Sequence, residues 1–279
     1  MNGGLIRLRE GLEGLNPSER KIAEFILREP GEAIQFSIAE LASRSGASQA
    51  AIVRLCKTMG FKGYQDLKIK VAGDLQGSGE TQGYQEIRPG DSVSAIIRSV
   101  SSNNIQSIRD TLKILDEDMV EKAADCLAAA RNLYFFGVGA SNLIAMDAQQ
   151  KFLRIDKRSF SFADPHVQLT AALTASPEDA VVCISYSGET KEVLKAAKLA
   201  KENGCPVIGI TKYGHSSLTR AADIPLCTAS TENEIRSGAM ASRITQLNLI
   251  DILYLSVASR DYEHAVQYLD KSRRAIKEL

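Results

Sequence analysis

The chain has 279 residues, 44% hydrophobic and 24% charged, a composition that suits one large or two ordinary soluble globular domains with a real core. Its 34 Lys and Arg match its 34 Asp and Glu, so the total charge points to no polyanionic partner and only its distribution can. The five cysteines, Cys56, Cys126, Cys183, Cys205 and Cys227, form no C-x-x-C pair. This argues against a disulfide framework or a zinc site and suits a reducing cytoplasm. The chain opens on no signal-like apolar segment, and its longest apolar run, Leu247 to Ala258, is broken by Asn248 and Asp251, so no membrane is expected.

From Leu5 to Leu15 the sequence is short and Gly-interrupted. Asn16 and Pro17 then open a helix whose apolar residues Ile22, Ala23, Phe25 and Ile26 form a buried face, ended by Pro30 and Gly31. Ser37 with Glu40 is a capping box for a short second helix carrying Ile38, Leu41 and Ala42. Gly46 breaks that helix, and Ser48 caps a third, Gln49 to Met59, with Ile52, Val53, Leu55 and Cys56 available to the core. Two short helices around a Gly-containing turn make a helix-turn-helix. Between Arg44 and Lys70 stand six basic residues, Arg44, Arg54, Lys57, Lys62, Lys68 and Lys70, against the single acid Asp66. Such a face fits a phosphate backbone, with Ser48, Gln49, Ala50 and Arg54 near the groove floor, Lys57, Lys62 and Lys68 on the backbone, and Ser37 at the entry of the second helix. A small helical bundle with a solvated basic face fits the same pattern.

Phe61 and Tyr64 are expected under the third helix, ahead of a fourth helix from Gln65 to Leu75. Glycines with Ser78, Thr81 and Gln82 mark a linker at 77–90, dividing a head at 1–76 from a second domain at 91–279. The stretch 91–115 reads as a long amphipathic helix with a break near Asn103 and Asn104, followed by a helix from Asp118 to Ala130. From Asn132 onward strands and helices alternate, which implies a parallel sheet with helices on both faces. The strands are Leu133–Val138, Ser159–Phe162, Ala180–Ile184, Pro206–Thr211 and Ile224–Thr228. Ligand is expected at the carboxyl edge, where the first and third loops meet. Gly137-Val138-Gly139-Ala140-Ser141 lacks the third glycine of a dinucleotide fingerprint, so no nicotinamide cofactor is expected.

The third loop, Ser185-Tyr186-Ser187-Gly188-Glu189-Thr190, carries the most chemistry. Three hydroxyls and free backbone N–H groups at a helix start can surround an oxyanion. With no Lys and no P-loop spacing, a phosphate monoester fits better than a triphosphate. Helix capping is the alternative use of the same hydroxyls. His166, after Pro165 at another helix start, is placed among the ligand contacts. The three histidines have no metal-ligand spacing, and no metal or cofactor is expected.

Ser141 in the first loop with Ser185-x-Ser187-Gly188-x-Thr190 in the third resembles the sugar isomerase (SIS) family of phosphosugar-binding domains over 132–259. The tract from Asn16-Pro17-Ser18-Glu19-Arg20 through Ser48 to Tyr64 is similar to the head of the RpiR/MurR group of bacterial transcriptional regulators. The two resemblances together imply an all-α helix-turn-helix head followed by an α/β SIS domain. They also imply a homodimeric or homotetrameric regulator whose affinity for a double-stranded DNA operator is altered by a sugar phosphate effector. By position, Ser141, Ser185, Ser187 and Thr190 hold the phosphate, helped by Gly139 and the backbone of Tyr186 and Gly188. Glu234 accepts sugar hydroxyls, and Arg236 or Arg243 pairs with a carboxylate. The resemblance puts N-acetylmuramic acid 6-phosphate ahead of hexose and pentose phosphates. An isomerase or lyase of the same fold is the alternative, with Glu189, Glu234 and His166 as its acid–base candidates.

Overall fold

A computed structural model describes residues 3–76, 90–230 and 239–277. The linker expected at 77–90 therefore falls, but for Gly90, outside the described residues, as do Glu234 and Arg236. Two compact units are present: Met1–Ile114 with Tyr213–His215, and the remainder from Leu115 onward.

The first unit is helical: α1 (Gly4–Gly11), α2 (Pro17–Arg28), α3 (Pro30–Ala33), α4 (Ile38–Ser45), α5 (Gln49–Thr58), α6 (Tyr64–Gln76) and α7 (Val93–Ile114). Its termini follow the local chemistry. Asn16 accepts the Glu19 N–H ahead of Pro17, Ser37 and Glu40 form a reciprocal capping box, and Ser48 accepts the Ala51 N–H. Gly46 stops α4 in the left-handed conformation (φ 64°), which lets the chain turn into α5 without a Cβ clash. Leu8, Ile22, Ile26, Leu41, Ile52, Leu55, Met59 and Leu67 are fully enclosed and form one core. Phe61 joins that core, and Tyr64 packs beside it while its hydroxyl donates to the Phe36 carbonyl at 3.0 Å.

Three features depend on partners distant in sequence. The Gly-interrupted start is a helix, because Asp74 on α6 accepts the N–H groups of Gly3 and Leu5 at 2.7 and 2.9 Å and so caps α1 from a distance. The long helix α7 runs unbroken through Asn103 and Asn104. It also groups with the head instead of leading the second domain, since it packs on α1 with Asp110 buried 3.9 Å from Arg9. The burial that surrounds Asp110 pushes its carboxyl above the ordinary range, against the hydrogen bond from Gln106.

In the second unit α8 (Glu117–Ala129) leads into β1 (Asn132–Gly137), α9 (Ala140–Leu153), β2 (Arg158–Ser161), α10 (Pro165–Thr174), β3 (Ala180–Ile184) and α11 (Lys191–Glu202). Then come β4 (Val207–Lys212), α12 (Ser217–Ala221), β5 (Ile224–Thr228), α13 (Ala241–Arg260) and α14 (Tyr262–Lys277). All strand pairs are parallel, in the order β2-β1-β3-β4-β5. Helices cover both faces, as the strand–helix alternation implies. On one side Leu127, Ile144, Phe152 and Leu253 pack on Phe135 and Val182; on the other, Val193, Ala197 and Leu218 pack on Phe136, Val181 and Cys183. The alternation of Val181, Val182 and Cys183 between these two cores is the period of two of a strand buried on both sides. Among the described residues no helix is long and apolar enough to cross a membrane.

Candidate functional site

The strand order reverses direction between β1 and β3, which are neighbours although they are separated in sequence by β2. In an open parallel sheet that reversal leaves a crevice at the carboxyl ends of the two strands, between the helices that leave in opposite directions. The loops that enter α9 and α11 flank it. Gly137 ends β1 with Ser141 so close that a Cβ would lie 2.6 Å from the Ser141 carbonyl oxygen, and Gly139 turns the chain at φ 61°. Only glycine at 137 brings the first turn of α9 this near the strand.

The third loop is built around Ser185, which is 2% exposed. Its hydroxyl lies 2.8 Å from that of Thr190 and accepts the Gly188 N–H at 3.1 Å. The exposed Ser187 hydroxyl accepts the Glu189 N–H at 3.2 Å. Gly188 sits at φ 70°, and a Cβ there would lie 2.2 Å from Ser216 Oγ and 2.8 Å from Thr211 Oγ1. The expectation of free amides is corrected at three positions: the Ser185 N–H donates to the Ile210 carbonyl, the Gly188 N–H to the Ser185 carbonyl and hydroxyl, and the Glu189 N–H to the Ser187 hydroxyl. Glu189, an acid–base candidate, accepts the Ser217 N–H at 2.7 Å, and this bond holds its carboxyl below the ordinary range. It thereby straps the loop to α12.

The helix starts along this rim differ in one respect. Asp164 caps α10 by accepting the His166 and Val167 N–H groups, and Ser216 caps α12 in a capping box with Thr219. Among the described residues no side chain caps α9 or α11, the two helices that follow the adjacent strands β1 and β3, nor α13 after β5. Thr190 stands at the N-cap of α11, yet its hydroxyl bonds Ser185 and not its own helix. Capping is therefore not what these hydroxyls do, and two positive helix ends are left without a side-chain acceptor beside one crevice.

His166 is exposed one residue into α10. Gln168, two residues on, was not among the residues expected at the site. It is 1% exposed and donates to the carbonyls of Gly137 and Phe162 at 2.8 and 2.6 Å, fixing the start of α10 to the end of β1. A buried Gln in an otherwise apolar helix was the available signal. Arg243 is half-buried in the first turn of α13. Glu234 lies outside the described residues.

On the first unit, α5 buries Ala51, Ile52, Leu55 and Cys56 and exposes Gln49, Ala50, Val53, Arg54 and Lys57. Val53, expected in the core, is 47% exposed. Positions 50, 53, 54 and 57 share one helical face, and counting by three and four from Ala50 would have found it. Arg54 lies 3.8 Å from the buried Glu19 carboxylate, so its base is steadied while its guanidinium stays half open to solvent. Lys62 is exposed. Lys68 is not on this face: its ammonium lies over the Tyr64 ring and donates to the Phe36 carbonyl at 3.3 Å. The hydroxyls of Ser37 and Ser48 are occupied as caps. Burial pushes the Cys56 thiol, on the inner face of α5, up to about 11, so it is no nucleophile at neutral pH.

A family model described as "Helix-turn-helix domain, rpiR family" matches residues 2–78, and the SIS domain model matches residues 126–256. The chain is 42% identical to the uncharacterized HTH-type transcriptional regulator YbbH of Bacillus subtilis, over 99% of this chain and 98% of that one. It is 39% identical to the HTH-type transcriptional regulator HexR of Pseudomonas aeruginosa, over 93% and 90%. Among solved structures, the Vibrio vulnificus NanR protein complexed with ManNAc-6P superposes with a TM-score of 0.63 at 29% identity, over 99% of this chain and 98% of that one.

Proposed function

Because the chain belongs to the RpiR family of transcriptional regulators that join a helix-turn-helix head to a SIS domain, we propose that it is a ligand-gated, sequence-specific DNA-binding protein of the cytoplasm. Its effector is a sugar phosphate held between the loops after β1 and β3. One observation carries this reading: among the described residues the starts of α9 and α11, which follow the two strands at the β1–β3 reversal, have no side-chain cap, whereas Asp164 and Ser216 cap α10 and α12. A phosphate monoester supplies the missing acceptor oxygens to both. Ser141, Ser185, Ser187 and Thr190 hold the phosphate, with Gly139, Gly188 and Tyr186 shaping the loops, and His166, Glu234 and Arg243 meet the sugar. An N-acylated amino-sugar 6-phosphate is the first choice, supported by the ManNAc-6P in the related NanR protein.

The loop binds and does not catalyse: Glu189, its own carboxylate, is strapped to Ser217. The protein works as a homodimer or homotetramer. Leu143, Met146 and Leu153, exposed along one stripe of α9, support such an assembly. The effector changes operator affinity only to the extent that it binds two arrangements of the assembly unequally.

The test is thermal denaturation of the full chain with ManNAc-6P, N-acetylmuramic acid 6-phosphate, glucose 6-phosphate and inorganic phosphate, followed by mobility-shift titration of DNA with the best binder. A ligand at a hundredfold its Kd adds about 2.7 kcal/mol to the unit that binds it. The expected result is a raised Tm and a changed DNA affinity with no conversion of the sugar. Turnover of the sugar without any specific DNA complex would establish an enzyme and end this reading.

A further inference from the structure

Resting on the proposed operator binding, the exposed face of α5 shows more than where phosphates would lie. Arg54 and Lys57 on that face, with Lys62 just after the helix, are suited to an anionic partner, yet the N-terminal part of the same face carries an apolar strip of Ala50 and Val53. Val53 is not packing on the head: the core on the opposite side of α5 is closed by Ile52, Leu55 and Cys56. We infer that Ala50 and Val53 read thymine, by apolar contact of their methyl groups with thymine 5-methyl groups on the floor of the major groove.

Three features support this. The thymine methyl is the one apolar group that a base presents in that groove, and small aliphatic side chains are its natural partners. The neighbouring cations give the face the charge of a nucleic-acid surface, so its apolar N-terminal part would be desolvated against base edges while the cations meet phosphates. The spacing also fits. Three residues of helix advance about 4.5 Å, against a base-pair rise of about 3.4 Å, so Ala50 and Val53 reach neighbouring steps. Val53 is β-branched and stiff at χ1, which presents its methyls in a defined direction.

Full-length protein is first used to select binding sites from randomised duplex DNA. Each thymine of the selected site is then replaced by deoxyuridine, which removes only the 5-methyl group, and Kd is measured at fixed salt. Losing one buried methyl contact corresponds to about a three- to fivefold weaker complex. That penalty is expected at one or two positions in each half-site with the native protein; Val53→Ala should bring it below about twofold at the thymine that Val53 meets and leave it in place at one met by Ala50. Val53→Thr, which keeps the shape and one methyl, should retain part of it. The Tm of both variants should stay within about 2 °C of the native protein, because the position is exposed. Sequence-specific binding that no deoxyuridine replacement weakens, or penalties none of which Val53→Ala reduces, would overturn the inference. A change of oligomeric state in Val53→Ala with unaltered thymine dependence would reassign the strip to subunit contact. Failure to select any specific site would instead bring down the operator-binding reading, and this inference with it.

Discussion

At the rim of the sheet the hydroxyls of Ser185 and Thr190 turn inward and bond each other, with Ser185 almost fully enclosed between Thr190 and Gly188. On α5 the corresponding groups, Gln49, Arg54 and Lys57, stand out in solvent over a sealed apolar core. The contrast follows from the sizes of the two partners. A phosphate group is small and loses its whole hydration shell in a crevice, so its donors must already be fixed in place. A duplex presents charges spaced along a helix, which long cationic side chains can reach and which salt screens. Substitutions at the rim should therefore disturb folding and binding together, whereas those on α5 should separate them.

The most severe test of that contrast is Gly188→Ala. The left-handed backbone and the approach of Ser216 and Thr211 together cost about 2–4 kcal/mol, and both the Tm and the effector response should fall. A variant that melts and responds like the native protein would break the picture of a rigid cradle. Ser185→Ala leaves the Thr190 hydroxyl without this partner in a buried setting, and should lower stability by about 1–3 kcal/mol in chemical denaturation. Ser187→Ala removes an exposed hydroxyl. It should weaken effector binding about tenfold in calorimetry, with stability changed by less than about 0.5 kcal/mol and DNA affinity without effector intact.

On the other side of the comparison, Lys57→Ala should leave the Tm and effector binding alone. It should reduce the slope of log affinity against log salt by about one for each lost phosphate contact, read from mobility shifts across a salt series. Ser48→Ala tests a cap on the same helix and should cost about 1 kcal/mol in denaturant titration. The smallest effect concerns pH. Because the Ser217 N–H holds the Glu189 carboxyl below its ordinary range, that bond stabilises the loop above the ordinary Glu value and is lost as the pH falls through the lowered one. Glu189→Gln should therefore flatten, slightly, the acid limb of a plot of Tm against pH.

Much of the architecture was legible because it is written in short-range chemistry. Asn16, Ser37, Gly46 and Ser48 delimit the helices of the head, and β3 and β5 lie where apolar runs between turn residues put them. The errors lie where a partner distant in sequence decides. Nothing near Gly4 foretells that Asp74 will cap its helix, and nothing near Asn103 foretells that α7 will pack on α1 through Arg9 and Asp110. Lys68 counted as a surface cation until the fold set the Phe36 carbonyl beside it.

By itself, then, the sequence determined the two-part organisation, the strand–helix alternation and the placing of a hydroxyl-rich loop between β3 and α11, because periodicity and turn chemistry act over a few residues. Only the tertiary structure decided how those hydroxyls are used. Thr190 could cap its own helix or bond Ser185, and the two options are close in energy when considered locally. The buried position of Ser185 settles the competition, since an enclosed hydroxyl must find a partner while the start of α11 remains open to another acceptor. The same holds for Val53: its residue type suits a core, and the direction of its helical face, fixed by the packing of Ile52, Leu55 and Cys56, turned it outward.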